Sequence, residues 1–163
     1  MFCIGDKVVH PMHGAGIIDG IVSERMGGVT QEYYVFKMPV GGLVLKIPTA
    51  NSAAVGLRAT VAAGDAARLL RELPGLAVEM NSNWNHRYRE NLQRLKSGDL
   101  YEVARVIKGL LHRENQKGLS TGERKMLHTA KQILISEMVL VTGRDYRAIE
   151  NRIQAAVSEE MAG

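Results

Sequence analysis

The sequence predicts an α+β protein in two domains, an N-terminal small antiparallel β barrel and a C-terminal compact all-α helical domain. Two observations lead to this prediction. Before residues 56–62, short apolar runs are separated by glycine turns, whereas after them apolar residues recur at helical spacing. The 163 residues are enough for two small cores. We therefore expect one domain over residues 1–58 and a second over residues 59–163.

Short strands with tight turns account for the first domain. Four runs are predicted as strands, at residues 7–10, 16–22, 33–38 and 43–47. Met26-Gly27-Gly28 and Gly41-Gly42 are typical of hairpin turns, because glycine adopts the positive φ angles that such turns require. Four or five such strands indicate a strongly bent sheet or partly closed barrel of the SH3 or Tudor type. An open edge strand is expected, and Lys46 either protects it or helps it to pair with a partner.

Helix caps and apolar spacing account for the second domain. Five helices are predicted, at residues 65–73, 83–96, 99–118, 120–141 and from residue 146 onward, the last with an acidic end. Pro74-Gly75 closes the first of them and Ser97-Gly98 the second. Ser120 and Glu123 have the spacing of a capping box, which predicts the start of the fourth helix.

The basic charge is concentrated in the middle of the helical region. Residues 84–131 contain 11 Lys and Arg against 5 Asp and Glu, within a chain of net charge +4. This excess fits an acidic polymer such as nucleic acid as a partner, although a solvated helix surface has the same composition. The single cysteine, Cys3, excludes an internal disulfide and suits a reducing cytoplasm. No secretory or membrane-spanning pattern is present, so we expect a cytoplasmic protein.

The most informative segment is residues 81–89, which carries the only tryptophan at the start of a predicted helix. Asn and Ser before Trp84 supply an N-cap, and the free amides of a helix start attract anions. Arg87 and Arg89 add positive charge to an exposed aromatic wedge, a combination that grips and unstacks nucleic acid. The alternative is a buried stripe, because Trp84, Tyr88, Leu92 and Leu95 also recur at helical spacing.

The patterns of known catalytic and cofactor sites are absent. Cys3, His10 and His13 lack the paired spacing of a zinc site, so we expect no metal. The glycines at 14 and 16 precede a strand rather than a helix, and the segment 118–125 lacks the lysine position of a P-loop. The latter is a helix cap whose Arg124 and Lys125 can bind phosphate. We predict a binding protein, with no cofactor, no enzymatic activity and no small-molecule substrate.

The motifs taken together resemble the CarD/CdnL family of bacterial transcription regulators. They are the opening segment at residues 5–14 (GDKVVHPMHG), Glu32-Tyr33-Tyr34, Val44 to Pro48 (VLKIP), Asn83-Trp84 and residues 118–123 (GLSTGE). The resemblance covers nearly the whole chain. The opening motif also occurs in transcription-repair coupling factors, but this chain has no helicase region.

The resemblance implies a Tudor-like domain that binds the RNA polymerase β subunit and a helical domain that contacts promoter DNA. In the family, the tryptophan matching Trp84 wedges into the minor groove at the upstream edge of the transcription bubble and hinders its collapse. The candidate DNA-binding residues are Trp84, His86, Arg87, Arg89, Arg113, Arg124 and Lys125. The candidate polymerase-binding residues are Arg25, Leu43, Leu45, Lys46 and Ile47.

Two positions depart from the family pattern. His86 stands where relatives often have arginine, which weakens this DNA contact or makes it pH-dependent. Glu24 falls at a polymerase-facing position where arginine is common, and Arg25 follows it. Either a shift in the turn at residues 26–28 restores the arginine, or the polymerase contact differs at this position.

The resulting hypothesis is a tethered DNA contact that stabilises the open promoter complex. Docking on polymerase raises the local DNA concentration for a weak, largely sequence-independent helical module, and localises the protein to the nucleoid. The alternative hypothesis is a protein-interaction adaptor that docks on RNA polymerase without direct DNA contact. In that case Trp84 belongs to the core.

Overall fold

The computed structural model describes the backbone of residues 1–162 and the side chains of residues 1–158. Five strands come first: β1 (Lys7–His10), β2 (Gly14–Met26), β3 (Val29–Lys37), β4 (Val44–Pro48) and β5 (Arg58–Ala59). The helices are α1 (Ser52–Val55), α2 (Ala63–Glu72), α3 (Trp84–Lys96), α4 (Leu100–Lys117), α5 (Thr121–Thr142) and α6 (Tyr146–Ala162). The predicted α+β class is confirmed. The division between the two domains at residue 58 stays a prediction. The predicted end of the second domain, at residue 163, lies outside the described residues.

The strands form one antiparallel sheet in the order β4-β3-β2-β1-β5. Gly27 and Gly28 connect β2 to β3 with φ angles of 59° and 81°, which match the predicted tight turn. β4 pairs with β3 on one side only, so its other backbone edge is open among the described residues. The buried face carries an apolar cluster that includes Val8, Ile18 and Phe36.

The helices begin at the residues that the capping signals indicate. Asn83, Asp99 and Ser120 are the N-caps of α3, α4 and α5, and the side chain of each accepts a backbone N–H of its first turn. Gly143 ends α5 with a φ of 71°, as expected for a C-terminal glycine. A second, larger apolar cluster joins these helices and also includes Val9 and Ala15 of the sheet.

Helix α5 packs directly against the sheet. The Ala15 amide donates to Ser136 Oγ at 2.8 Å, and a Cβ at Gly14 would lie only 2.4 Å from the same oxygen. Arg58 binds both carboxylate oxygens of the buried Glu137, at 2.7 and 3.0 Å. The two halves of the chain therefore share a polar, closely packed junction.

Four elements, β2, β3, α1 and β5, differ most from the sequence prediction. β3 begins at Val29, four residues before the predicted start. β2 is longer than predicted, because it begins at Gly14 and continues to the hairpin turn. Gly14 and Gly16 lie inside this strand, where the close approach of neighbouring atoms requires glycine. The short α1 and β5 were not predicted, because four and two residues carry no measurable periodicity.

Candidate nucleic-acid interface and sheet edge

Trp84 lies on the surface where the N-terminus of α3 meets that of α5. Its side chain is exposed, with a relative accessibility of 41%. The indole Nε1 donates a hydrogen bond to Ser120 Oγ at 3.0 Å, and the ring stacks on Tyr88 with centroids 5.0 Å apart. A Cβ placed on Gly122 would lie 3.6 Å from both rings, so the pair rests on the first turn of α5. The indole is therefore both exposed and held in one orientation.

The alternative of a buried aromatic stripe holds for the rest of α3. Tyr88 and Leu92 are half-buried against the helical core, and Leu95 is buried. Trp84 is the exposed end of this stripe. The core position required by the adaptor hypothesis is thus not observed for Trp84.

A buried ion pair lies beneath the tryptophan. Arg87 Nε and Nη2 donate to the two carboxylate oxygens of Glu123 at 2.8 and 3.1 Å, and both side chains are almost fully buried. Arg87 Nη1 also donates to the carbonyl oxygens of Asn81 and Ser82, each at 3.1 Å. Hydrogen bonds from Arg87 hold the pKa of Glu123 below its usual range.

The DNA contact predicted for Arg87 would require this buried, paired side chain to move. With 1% of its surface exposed, Arg87 cannot reach a phosphate in this conformation. The guanidinium of Arg87 is bonded to Glu123 and to carbonyl oxygens of the loop before α3. Arg87 therefore positions the start of the helix that carries Trp84. Residues two apart on a helix face different sides, which is why Arg89 is exposed where Arg87 is not.

The remaining predicted DNA-binding cations lie at the surface. His86 and Arg89 are exposed on α3, and Arg124 and Lys125 are exposed in the first turn of α5. Arg113 on α4 is half-buried, and its Nε lies 4.0 Å from Glu123 Oε1. Two helix N-termini thus bring an exposed indole and several cations to one region, an arrangement suited to phosphates and a nucleic-acid base step.

Four of the five predicted polymerase-binding residues lie on or beside the open edge strand β4. Lys46 is exposed, Leu43 precedes the strand and is 40% exposed, and Leu45 is half-buried. Ile47 is buried at 5% and packs into the sheet core, so its side chain faces away from any partner, and its predicted role in polymerase binding stays a prediction. At Ile47, only the backbone is available to a partner. Strand addition uses backbone hydrogen bonds.

The position of Arg25 also differs from expectation. Residues 20–26 of β2 pair with β3 in uninterrupted register, so no shift in the turn exchanges Arg25 for Glu24. Strand alternation puts the two side chains on opposite faces. Glu24 instead forms an ion pair with Lys46 across the sheet.

The two histidines of the opening motif lie side by side. The rings of His10 and His13 are 4.6 Å apart, and His10 Nδ1 accepts the Met12 amide. Burial, with a smaller contribution from His13, lowers the pKa of His10 to about 4. In the part of the chain that the structure describes, no three metal-ligating side chains cluster.

None of the described helices is sufficiently long and apolar to cross a membrane.

Sequence reasoning missed the contacts that orient the tryptophan. Ser120 and Glu123 were identified only as helix-capping residues, and Tyr88 only as a member of a stripe. Tyr88 stacks on Trp84 from one turn along the same helix, but the contacts of Ser120 and Glu123 with α3 join residues 36 positions apart. No local spacing signals such contacts.

Comparison with known proteins identifies the class to which this fold and site belong. A family model described as "CarD, C-terminal domain" matches residues 68–154, and one described as "CarD-like/TRCF RID domain" matches residues 2–61. The chain belongs to the CarD-like family of transcription factors. It is 31% identical over 151 residues to the "Putative transcription factor YdeB" of Bacillus subtilis (strain 168), covering 93% of this chain and 99% of that protein.

Proposed function

We propose that this CarD-like protein docks on the RNA polymerase β subunit through the edge of β4 and stabilises the open promoter complex with Trp84. The observation that carries the proposal is the exposed indole, held by Ser120 and Tyr88 at the junction of two helix N-termini. Membership of a family matched by the RID domain supports polymerase as the docking partner. β4 covers Tyr33–Lys37 of β3 and pairs with no strand on its other side, so it is the strand available for addition at that edge of the sheet.

Trp84 acts by preferring distorted DNA. A ligand shifts an equilibrium only by binding one state better than the other, and an aromatic wedge gains contact area where a base step is already unstacked. Closed duplex offers no such gap. Trp84 therefore lowers the free energy of the open complex more than that of the closed complex.

The cations contribute affinity without sequence preference. His86, Arg89, Arg113, Arg124 and Lys125 are the candidates for phosphate contacts around the indole. Each contact is weak, since most of these side chains are exposed to water and salt. Docking on polymerase compensates by raising the effective DNA concentration.

Promoter-complex dissociation after competitor challenge tests the proposal. The protein is expected to lengthen the half-life of heparin-resistant polymerase complexes on one promoter, and less so as salt increases, because phosphate contacts release counterions. The adaptor hypothesis predicts instead that polymerase binding persists with no change in complex half-life at any salt concentration. That result would reject the DNA contact while leaving the docking surface intact.

A further inference from the structure

A cleft lies between α4 and residues 76–83, the segment that links α2 to α3. Its volume is about 330 Å³, at the lower end of the range for small-molecule sites. Its lining includes Val78, Met80, Gly109, His112, Arg113 and Lys117. The cleft is next to the tryptophan site, because Ser82 lies in its wall two residues before Trp84.

The floor of the cleft is apolar and depends on one glycine. A Cβ at Gly109 would lie 2.0 Å from Met80 Cε and 2.8 Å from a Val78 methyl, so both side chains lie on the bare backbone of α4. Asn91 Nδ2 contacts the Met80 sulfur at 3.8 Å and holds the thioether in position. A flat thioether and methyl surface of this kind suits an aromatic ring.

The rim of the cleft carries more positive than negative charge. Arg87 and Arg113 face a single carboxylate, Glu123, and Arg87 occupies both of its oxygens. Arg113 Nε is 4.0 Å from Glu123, too far for a hydrogen bond, and Lys117 adds a further charge one turn along α4. None of the lining residues is acidic.

Two buried nitrogens beside the cleft lack hydrogen-bond partners. Among residues 1–158, His112 Nδ1 and Arg113 Nε are the buried side-chain atoms without a hydrogen-bond partner. An unpaired buried polar group is costly, so a ligand that supplies partners favours a turn of these side chains that brings the nitrogens to the cleft. Both atoms belong to adjacent residues of α4 that line the cleft.

We propose that this cleft binds a nucleotide, with its phosphate on Arg113 and Lys117 and its base on Met80 and Val78. Guanidinium groups bind phosphate oxygens through paired, charge-assisted hydrogen bonds. The nucleotide comes either from solution or from a DNA strand. A site for a free nucleotide goes beyond the proposed function, whereas a site for a nucleotide within DNA rests on it.

Amide NMR titrations of the full chain distinguish the two sources. Adenosine diphosphate without added metal is one probe, and a short single-stranded oligothymidylate is the other. Either probe is expected to cause saturable shifts at the amides of Val78, Met80 and Gly109. Arg113→Gln is expected to raise the dissociation constant of the probe that binds about tenfold or more. Lys117→Gln is a second variant in case the first unfolds. Lys37→Gln is the matched control.

Each result supports or overturns the site. Shifts with the diphosphate indicate a free nucleotide, and shifts with the oligonucleotide alone indicate a DNA strand. The site is overturned if neither probe shifts these amides saturably, or if Arg113→Gln and Lys117→Gln bind as well as Lys37→Gln. Polymerase is absent from the experiment, so its failure would remove Arg113 from the proposed phosphate contacts but leave the proposed docking and the action of Trp84 untouched.

Discussion

Replacing Ser120 by alanine separates the orientation of Trp84 from the stability of the fold. Ser120 Oγ accepts the Glu123 amide at 3.2 Å as an N-cap and the Trp84 indole at 3.0 Å. Loss of the cap costs about 1 kcal/mol, and loss of the exposed indole hydrogen bond adds about 0.5–1 kcal/mol. Stability should fall by about 1.5–2 kcal/mol, which lowers the Tm by roughly 4–6 °C in a chain of this size.

Asp99→Ala is the matched control, because Asp99 caps α4 through the Tyr101 amide at 2.9 Å and does not touch the indole. It should cost about 1 kcal/mol through the lost cap alone. Since Trp84 is the only tryptophan, its fluorescence reports its own environment. Ser120→Ala should shift the emission to the red and lower the anisotropy, whereas Ser120→Thr and Asp99→Ala should leave both near wild-type values. Unchanged emission in Ser120→Ala would refute the anchoring role.

Three further predictions follow from buried or edge charges. Arg87→Met leaves Glu123 buried without its partner, so urea unfolding should show a loss of about 3–5 kcal/mol, partly recovered in the double variant with Glu123→Met. The lowered pKa of His10 means that the unfolded state binds its proton first, so stability should decrease as the pH falls from 6.5 towards about 4. His10→Gln should reduce that slope in pH-dependent unfolding. Lys46→Ala should weaken binding to the β subunit about two- to fivefold, mainly by slowing association, as measured by surface plasmon resonance.

Each of these predictions has a result that contradicts it. A loss below 1 kcal/mol in Arg87→Met would mean that Glu123 finds another partner or water. An unchanged pH slope in His10→Gln would assign the acid sensitivity to other groups. Arg147→Ala, an exposed change on α6, is the control for polymerase binding; if it weakens association as much as Lys46→Ala does, the effect is general charge rather than the edge of β4.

Local signals in the sequence account for most of the fold. Gly27-Gly28 needs only its own φ angles to form a turn, and Asn83, Asp99 and Ser120 cap helices through amides two or three residues away. Such interactions are contained within a short stretch of chain, so spacing reveals them. The short α1 and β5 depend on the packing around them and leave no periodic pattern.

The candidate site was only partly predictable, because its details depend on contacts between distant segments. Arg87 and Arg89 are alike in composition and charge, but only Arg87 faces Glu123, 36 residues away. Ile47 and Lys46 are neighbours on one strand, but alternation buries the first and exposes the second. The sequence indicated which residues carry charge or aromatic surface, and tertiary packing determined which of them reach the solvent.

The lifetime of the polymerase open complex on a single promoter, with wild-type protein and with Trp84→Ala, tests the central proposal most directly. Both proteins should first be shown to fold and to bind the β subunit equally. The wild type is expected to lengthen the lifetime and Trp84→Ala to lose most of that effect, because the exposed indole supplies the preference for distorted DNA. An equal lengthening by both proteins would contradict the wedge, and the cations or the polymerase contact alone would then account for the stabilisation.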